Sequence, residues 1–259
     1  MDFVSKNTIK QIRSLALRKF RLQAGEFVAE GNKLVTDNLQ AMSCHRLVAV
    51  PEWWDRHPEA RAAADECWLT TREDMERLSL MQSPQDVLGT FRIPNHPFGN
   101  DEVRALADRL VVALDEVQDP GNLGTIIRLC DWFGIRDLVC SPDTADCYAP
   151  KVVQATMGAI ARVRVHYTDL PAFLRSLKPL GVPVYGTFLD GTDIYGSTLS
   201  PRGVIVMGNE GRGISAPVAE LVTDRLFIPP FPKDSVTSES LNVGIATAIT
   251  VAEFRRKTI

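Results

Sequence analysis

Three stretches in the second half of the chain gather amide, carboxylate, guanidinium and hydroxyl side chains beside glycine. D-P-G-N-L-G-T-I-I-R (119–128) holds Asn122 and Arg128. M-G-N-E-G-R-G-I-S (207–215) sets Asn209, Glu210 and Arg212 among three glycines. I-P (228–229) is followed, after a polar run, by S-L-N-V-G-I-A-T-A-I (240–249), with Ser240 and Asn242. Glycine lets backbone approach a ligand closely. Asparagine both donates and accepts, and an arginine fork matches phosphate or carboxylate. Such a set suits a reaction in which negative charge develops on an oxygen.

Each stretch also has a plainer reading. Gly121 and Gly124 can simply shape a turn between a strand and a helix over 126–134. Arg128 can pair with Asp131 on a helix surface, worth only ~0.2–0.5 kcal/mol. Ser240 can be a helix cap, worth ~1 kcal/mol, with no further role. No stretch matches G-x-x-x-x-G-K-[ST] or a strand-linked G-x-G-x-x-G, so nucleoside triphosphates and dinucleotides are poor candidates. The four histidines (45, 57, 96, 166) are scattered and the five cysteines form no C-x-x-C, so no metal site is expected.

The elements that must position these residues follow from hydrophobic patterning. V-V-A-L-D-E-V (111–117), D-L-V-C (137–140), R-V-R-V-H (162–166), V-P-V-Y-G-T-F (182–188), V-I-V-M-G (204–208) and R-L-F-I-P (225–229) are apolar runs separated by helical segments. Continuous Val/Ile/Leu runs predict a mostly parallel sheet covered on both faces. Ligands of such sheets bind outside the carboxyl ends of the strands, where the three stretches fall.

The first part also alternates. Ile9, Ile12, Leu15 or Ala16, and Phe20 lie near helical spacing over 5–21, opposite a basic face of Lys6, Lys10, Arg13, Arg18, Lys19 and Arg21. Strands are expected at 26–30, 45–50, 66–70 and 87–94, and helices at 32–39, with Asn32 as cap, and at 71–80. I-P-N-H-P-F-G-N (93–100) reads as a linker. The expected organisation is a small α/β domain at 1–94, a linker at 95–104 and a second α/β domain at 105–259. Trp53 and Trp54 suit base stacking less well than core packing, and Trp132 suits a core or an interface.

Net charge is −3, so a nucleic-acid site must be a local patch. No run reaches the ~18 apolar residues of a membrane span, and the first ten residues lack a signal-like apolar core. With reduced cysteines, this points to a cytoplasmic protein.

The order and spacing of 119–128, the flanking A-P-K-V-V-Q-A-T-M-G-A (149–159), 207–215, 228–229 and 240–249 resemble the SpoU/TrmH-type RNA ribose 2′-O-methyltransferases of the SPOUT superfamily. The resemblance covers about residues 105–256. Residues 1–94 more distantly resemble the ribosomal-protein-like RNA-binding domain that often precedes this catalytic domain. The run P-F-P-K-D-S-V-T-S-E before Ser240 is longer than the family's usual loop.

The resemblance implies a parallel sheet with a deep C-terminal trefoil knot, bound S-adenosylmethionine, and a homodimer. It implies a cofactor wall of Thr187, Phe188 and Leu189, of Gly208, Asn209, Glu210 and Gly211, and of Ile228 with Leu241. It places Asn122, Arg128, Glu210, Ser240 and Asn242 around the reacting methyl, with Glu210 orienting Asn122 or Arg128. It implies an RNA partner, ribosomal RNA ahead of transfer RNA, and neither membrane nor metal. The alternatives are the same reaction on transfer RNA and a catalytically silent RNA-binding relative. A nicotinamide oxidoreductase lacks its glycine fingerprint.

Overall fold

The computed structural model describes residues 1–232, 235 and 240–257. Most of the long 230–239 loop therefore lies outside the described residues. The chain divides into two units: Met1–Asn95 with Asp146–Arg162, and His96–Ala145 with Val163–Ile259.

In the first unit the helices are α1 (Lys6–Ser14), α2 (Arg18–Ala24), α3 (Asn32–Leu39), α4 (Pro51–Arg56) and α5 (Arg72–Leu78). The strands are β1 (Glu26–Glu30), β2 (Cys44–Ala49), β3 (Ala64–Leu69) and β4 (Val87–Arg92), in the order β1-β4-β2-β3. β2 and β3 are parallel; the other pairs are antiparallel. Side chains alternate across this sheet as strand geometry requires. Phe27, Leu47 and Phe91 pack with Trp53 and Trp54, while Val28, Val48 and Leu88 pack with Ile12 and Leu78. Both tryptophans are core residues: Trp53 donates to Asn32 Oδ1 at 2.8 Å and Trp54 to the Trp68 carbonyl at 3.2 Å. Asn32 is thus engaged by Trp53, and Gly31 occupies the cap position of α3.

The stretch expected as one helix over 5–21 is two. Leu15, Ala16 and Leu17 interrupt it, and Leu17 is extended at φ −96°, ψ 132°. The break turns Arg21 inward. Its guanidinium donates to the carbonyls of Leu15 and Ala16 and to Asp146 at 2.6 Å, so Arg21 is buried and leaves the basic face. The segment 146–162, expected with the C-terminal domain, packs in this unit. Its helix α8 (Pro150–Thr156) lies against β1, Val153 joins the Trp53 core, and Tyr148 meets Phe27 at 4.9 Å between ring centres.

The second unit contains β5 (Leu110–Leu114), β6 (Asp137–Cys140), β7 (Arg164–Tyr167), β8 (Val184–Asp193), β9 (Gly203–Met207) and β10 (Asp224–Phe227). Its helices are α6 (Asn100–Leu106), α7 (Pro120–Trp132), α9 (Leu170–Leu177), α10 (Ala216–Ala219) and α11 (Val243–Arg256). The strands form one wholly parallel sheet in the order β10-β8-β9-β5-β6-β7. Val111, Ala113, Val204 and Val206 bury one face with Phe173 and Leu174 of α9. α11 packs against α7 and β9. Each fully buried Val, Leu or Ile contributes ~1.5–3 kcal/mol, which explains why these runs carry almost no polar residue. From β5 the chain proceeds to β6 and β7 on one side and later to β8 and β9 on the other. The order therefore reverses between β5 and β9, the kind of switch point where open α/β sheets bind ligands.

Candidate active site

Because β5, β8, β9 and β10 are parallel neighbours, the segments after β5, β9 and β10 leave from one edge of the sheet. The segment after β5 opens differently from the turn expected there. Asp119 caps α7 by accepting from the Asn122 N–H at 2.8 Å, and Pro120 takes the first helical position. This is the common start of a helix, since proline lacks the N–H that would have no partner there. Gly121 and Gly124 therefore lie inside α7 rather than in a turn. Gly124 is buried in the packing of the helix.

The loop after β9 folds back on itself through a bridge between Asn209 and Gly213. A Cβ at Gly208 would collide with the Gly213 backbone, so this glycine is required by the loop's closure. Asn209 Oδ1 accepts from the N–H groups of Gly211 and Arg212 at 2.9 and 3.1 Å, and Asn209 Nδ2 donates to the Glu116 carbonyl at 2.8 Å. Glu116 has φ +59°, a left-handed backbone that non-glycine residues seldom adopt. Three contacts hold it there: its N–H donates to Ser141 Oγ, its carbonyl accepts from Asn209, and its carboxylate pairs with Arg212. Asp115 accepts from the Ser215 N–H at 2.7 Å.

Glu210 joins this loop to α7. Its carboxylate accepts from the N–H groups of Gln118 and Asp119 at 3.3 and 3.2 Å and from Asn122 Nδ2 at 3.0 Å. Asn122 Oδ1 then accepts from Asn242 Nδ2 at 2.8 Å. Asn242 Oδ1 caps α11 by accepting from Gly244 and Ile245. The cap is therefore Asn242, and Ser240 lies exposed two residues before it. A continuous hydrogen-bonded chain thus links residues 210, 122 and 242. Burial pushes the Glu210 carboxyl up, but the Asn122 amide and the backbone N–H groups outweigh it, and the group stays below its ordinary 4.5.

Arg128 is exposed two turns into α7, and no ion pair or hydrogen bond engages it among the described residues. The pairing with Asp131 that a helix surface would allow is not made. Of the two partners open to Glu210, it bonds Asn122. The chain therefore gathers Asn122, Glu210 and Asn242 directly, and leaves Arg128 with all its donors available.

Thr187, Phe188 and Leu189 are not beyond a strand end but inside β8. Gly186 faces Arg225 of β10 and Thr192 faces Leu226, so 187–191 have no partner on β10 and bulge from the ladder. Arg225 lies 3.5 Å from the Phe188 ring centre and pairs with Asp190 at 2.5 Å, which fixes the bulge. Leu189 is 72% exposed and Leu241 47%. Ile228, directly after β10, is half-buried. Sequence reasoning missed Asp115, Glu116 and Ser141. The acidic pair at the end of β5 was their only local signal.

A fold of this kind, with polar loops tied together at the switch point, defines an α/β protein that holds its ligand at the carboxyl edge of a parallel sheet. The sequence pattern of the SpoU rRNA Methylase family matches residues 109–252, and this chain belongs to that family. Residues 6–89 match the MRM3-like substrate binding domain. A putative RNA methyltransferase of the TrmH family from Porphyromonas gingivalis is 40% identical, with a TM-score of 0.86 over 98% of this chain and 99% of that one. An AdoMet-bound rRNA methyltransferase from Sinorhizobium meliloti is 30% identical, with a TM-score of 0.86 over 100% of this chain and 98% of that one. A curated relative, the 23S rRNA guanosine 2′-O-methyltransferase RlmP of Bacillus subtilis, is 29% identical over 98% of both chains.

Proposed function

We propose that this protein transfers a methyl group from S-adenosylmethionine to a ribose 2′-hydroxyl of RNA, ribosomal RNA in preference to transfer RNA. The observation that carries the reading is the hydrogen-bonded chain Glu210–Asn122–Asn242, with the unengaged Arg128 further along α7. The names of the relatives from Bacillus subtilis and Sinorhizobium meliloti favour a ribosomal substrate. Met1–Asn95 with Asp146–Arg162 serve as the RNA-binding unit, and His96–Ala145 with Val163–Ile259 as the methyltransferase unit.

The residues present suit the cofactor. S-adenosylmethionine has no phosphate, and among the described residues the site has neither a phosphate loop nor a lysine cluster. Its carboxylates at 116, 119 and 210 would repel a polyphosphate and tolerate a sulfonium. The exposed Leu189 and Leu241 offer apolar surface for an adenine. Thr187, Phe188, Leu189, Asn209, Glu210, Gly211, Ile228 and Leu241 form the wall, with Gly208 holding its shape. When bound, the cofactor supplies an electrophilic methyl whose leaving group is a neutral thioether.

With the cofactor bound, the methyl would pass from its sulfur to the ribose oxygen, and the hydroxyl proton must leave. Arg128 cannot take it, because a guanidinium keeps its own proton in proteins. Arg128 instead binds the RNA phosphate and favours the developing alkoxide, while the proton passes to water or to that phosphate. Glu210 is a poor base because its carboxyl is already held below the ordinary range. It orients the Asn122 amide, and Asn242 fixes that amide's oxygen. Ser240 and Asn242 complete the methyl site.

The C-terminal chain is knotted, as the family resemblance implies. The active form is a homodimer through α7 and α11. Trp132, 85% exposed, and Ile245, 55% exposed, supply apolar surface for a second copy on these paired helices. No helix among the described residues is long and apolar enough to cross a membrane. The protein works in the cytoplasm, where its RNA is.

Tritiated methyl transfer to ribosomal and transfer RNA from cells lacking the enzyme tests the reading. Label in ribosomal RNA, mapped to a nuclease-resistant 2′-O-methyl nucleotide and lost in Arg128→Ala, is expected. Label confined to a base, or to transfer RNA, would overturn it.

A further inference from the structure

At the amino edge of the parallel sheet, opposite the loops described above, six polar side chains from five places in the second unit face one cavity of about 270 Å³. Asp137 opens β6 and is buried. Its Oδ2 accepts from Arg164, at the start of β7, at 2.7 Å and from Arg109, just before β5, at 3.4 Å. Its Oδ1 is 3.0 Å from Nε2 of the buried His166. Phe98 stacks on His166 with ring centres 4.3 Å apart, and His96 stands 6.2 Å from it.

A structural ion pair needs one guanidinium per carboxylate. Here a single carboxylate gathers two, and a histidine besides. Each guanidinium carries five donors, so the bonds to Asp137 leave several on each unused. The Arg109 and Arg164 side chains are 53% and 44% exposed, with those donors open to the cavity. His96 has no hydrogen-bond partner among the described residues. The other acid lining the space, Glu102, is turned onto the Gly99 N–H at 2.9 Å, as a cap of α6. Donors therefore exceed acceptors here. His96 is held below its ordinary value by burial first and then by His166 and Arg164, with Asp137 opposing them. An anion would take up the unused donors.

We propose that this cavity is a second ligand site that binds a phosphate group through Arg109, Arg164 and His96, with Asp137 and His166 holding Arg164 in place. Forked guanidinia match tetrahedral oxyanions, and an imidazolium adds a third donor. The phosphate is either a phosphodiester of bound RNA or a free phosphate. The site is distinct from the methyl-transfer edge and does not depend on the function proposed for it.

The test is calorimetric titration of inorganic phosphate into the full-length chain at about pH 6 and pH 8, which span the histidine range. Saturable binding at one site per chain is expected at the lower pH. It should weaken about fivefold or more in Arg109→Gln and in His96→Gln, as for one lost charged hydrogen bond. If Arg109→Gln misfolds, as its melting curve would show, His96→Gln in the linker carries the test. RNA affinity distinguishes the sources. A drop in Arg109→Gln with a shallower salt dependence assigns the site to RNA phosphodiester. Unchanged RNA affinity with lost phosphate binding assigns it to free phosphate. Absence of saturable binding at the lower pH, or equal binding by wild type and both variants, would overturn the proposal.

Discussion

At the two edges of the six-stranded sheet, Glu210 and Asp137 are each held below their ordinary range, but by different chemistry. At the carboxyl edge Glu210 accepts from two backbone N–H groups and one asparagine amide. At the amino edge Asp137 accepts from two arginines and a histidine, and its value falls to about 2 although burial alone would raise it. Neutral donors fix a carboxylate's direction without opposing its charge. Cations neutralise it and bind it less directionally. The first arrangement orients a reacting group, and the second gathers excess donors. The contrast explains why Arg128, close in sequence to the amide-held site, is left unengaged while Arg109 and Arg164 are paired.

The largest effect expected is on Arg128. Arg128→Ala should lower kcat/KM by at least about 100-fold, a loss of ~3 kcal/mol, with the melting temperature unchanged. Arg109→Gln should leave methyl transfer at saturating substrate nearly unchanged. Equal losses in the two would remove the functional distinction between the edges. Next is Asp137→Asn, which should destabilise the fold by about 2 kcal/mol in urea unfolding, since a carboxyl shifted from 3.8 to about 2 carries that much linkage energy. The sign follows from the depressed value. The contribution is full above 3.8 and disappears as pH falls towards about 2, so wild type and Asp137→Asn should converge in stability there. Convergence near neutrality would show that Asp137 is not charge-held.

The smallest effect is the stability cost of Glu210→Gln, ~1 kcal/mol for weakened hydrogen bonds. Its activity should fall with no new inflection near neutral pH, because Glu210 is ionised throughout that range. An inflection abolished by Glu210→Gln would return Glu210 to the role of base.

The parallel sheet was legible because its central strands β5 and β9 are compact apolar runs, and the loops were legible because glycine and amide residues cluster in short stretches. Tertiary choices were not. The periodicity of 5–21 fits one helix, and only the buried bond from Arg21 to Asp146 shows why it breaks. Ser240 and Asn242 are both good caps, and the choice falls to Asn242 because Asn122 holds its amide. Gly121 and Gly124 suggest a turn until Asp119 and Pro120 are seen to start the helix before them. The amino-edge cluster left no local trace at all. Residues 96, 109, 137, 164 and 166 share no spacing, and only the sheet brings them together.

The chain leaves the first unit after Asn95, re-enters it at Asp146 and leaves it again after Arg162. Val153 and Tyr148 from the returning stretch complete the core around Phe27 and Trp53. The first ninety-odd residues are therefore not a contiguous cassette. A gene fragment ending at Asn95 encodes a core with one wall missing, and grafting that fragment onto another enzyme would transplant the gap with it.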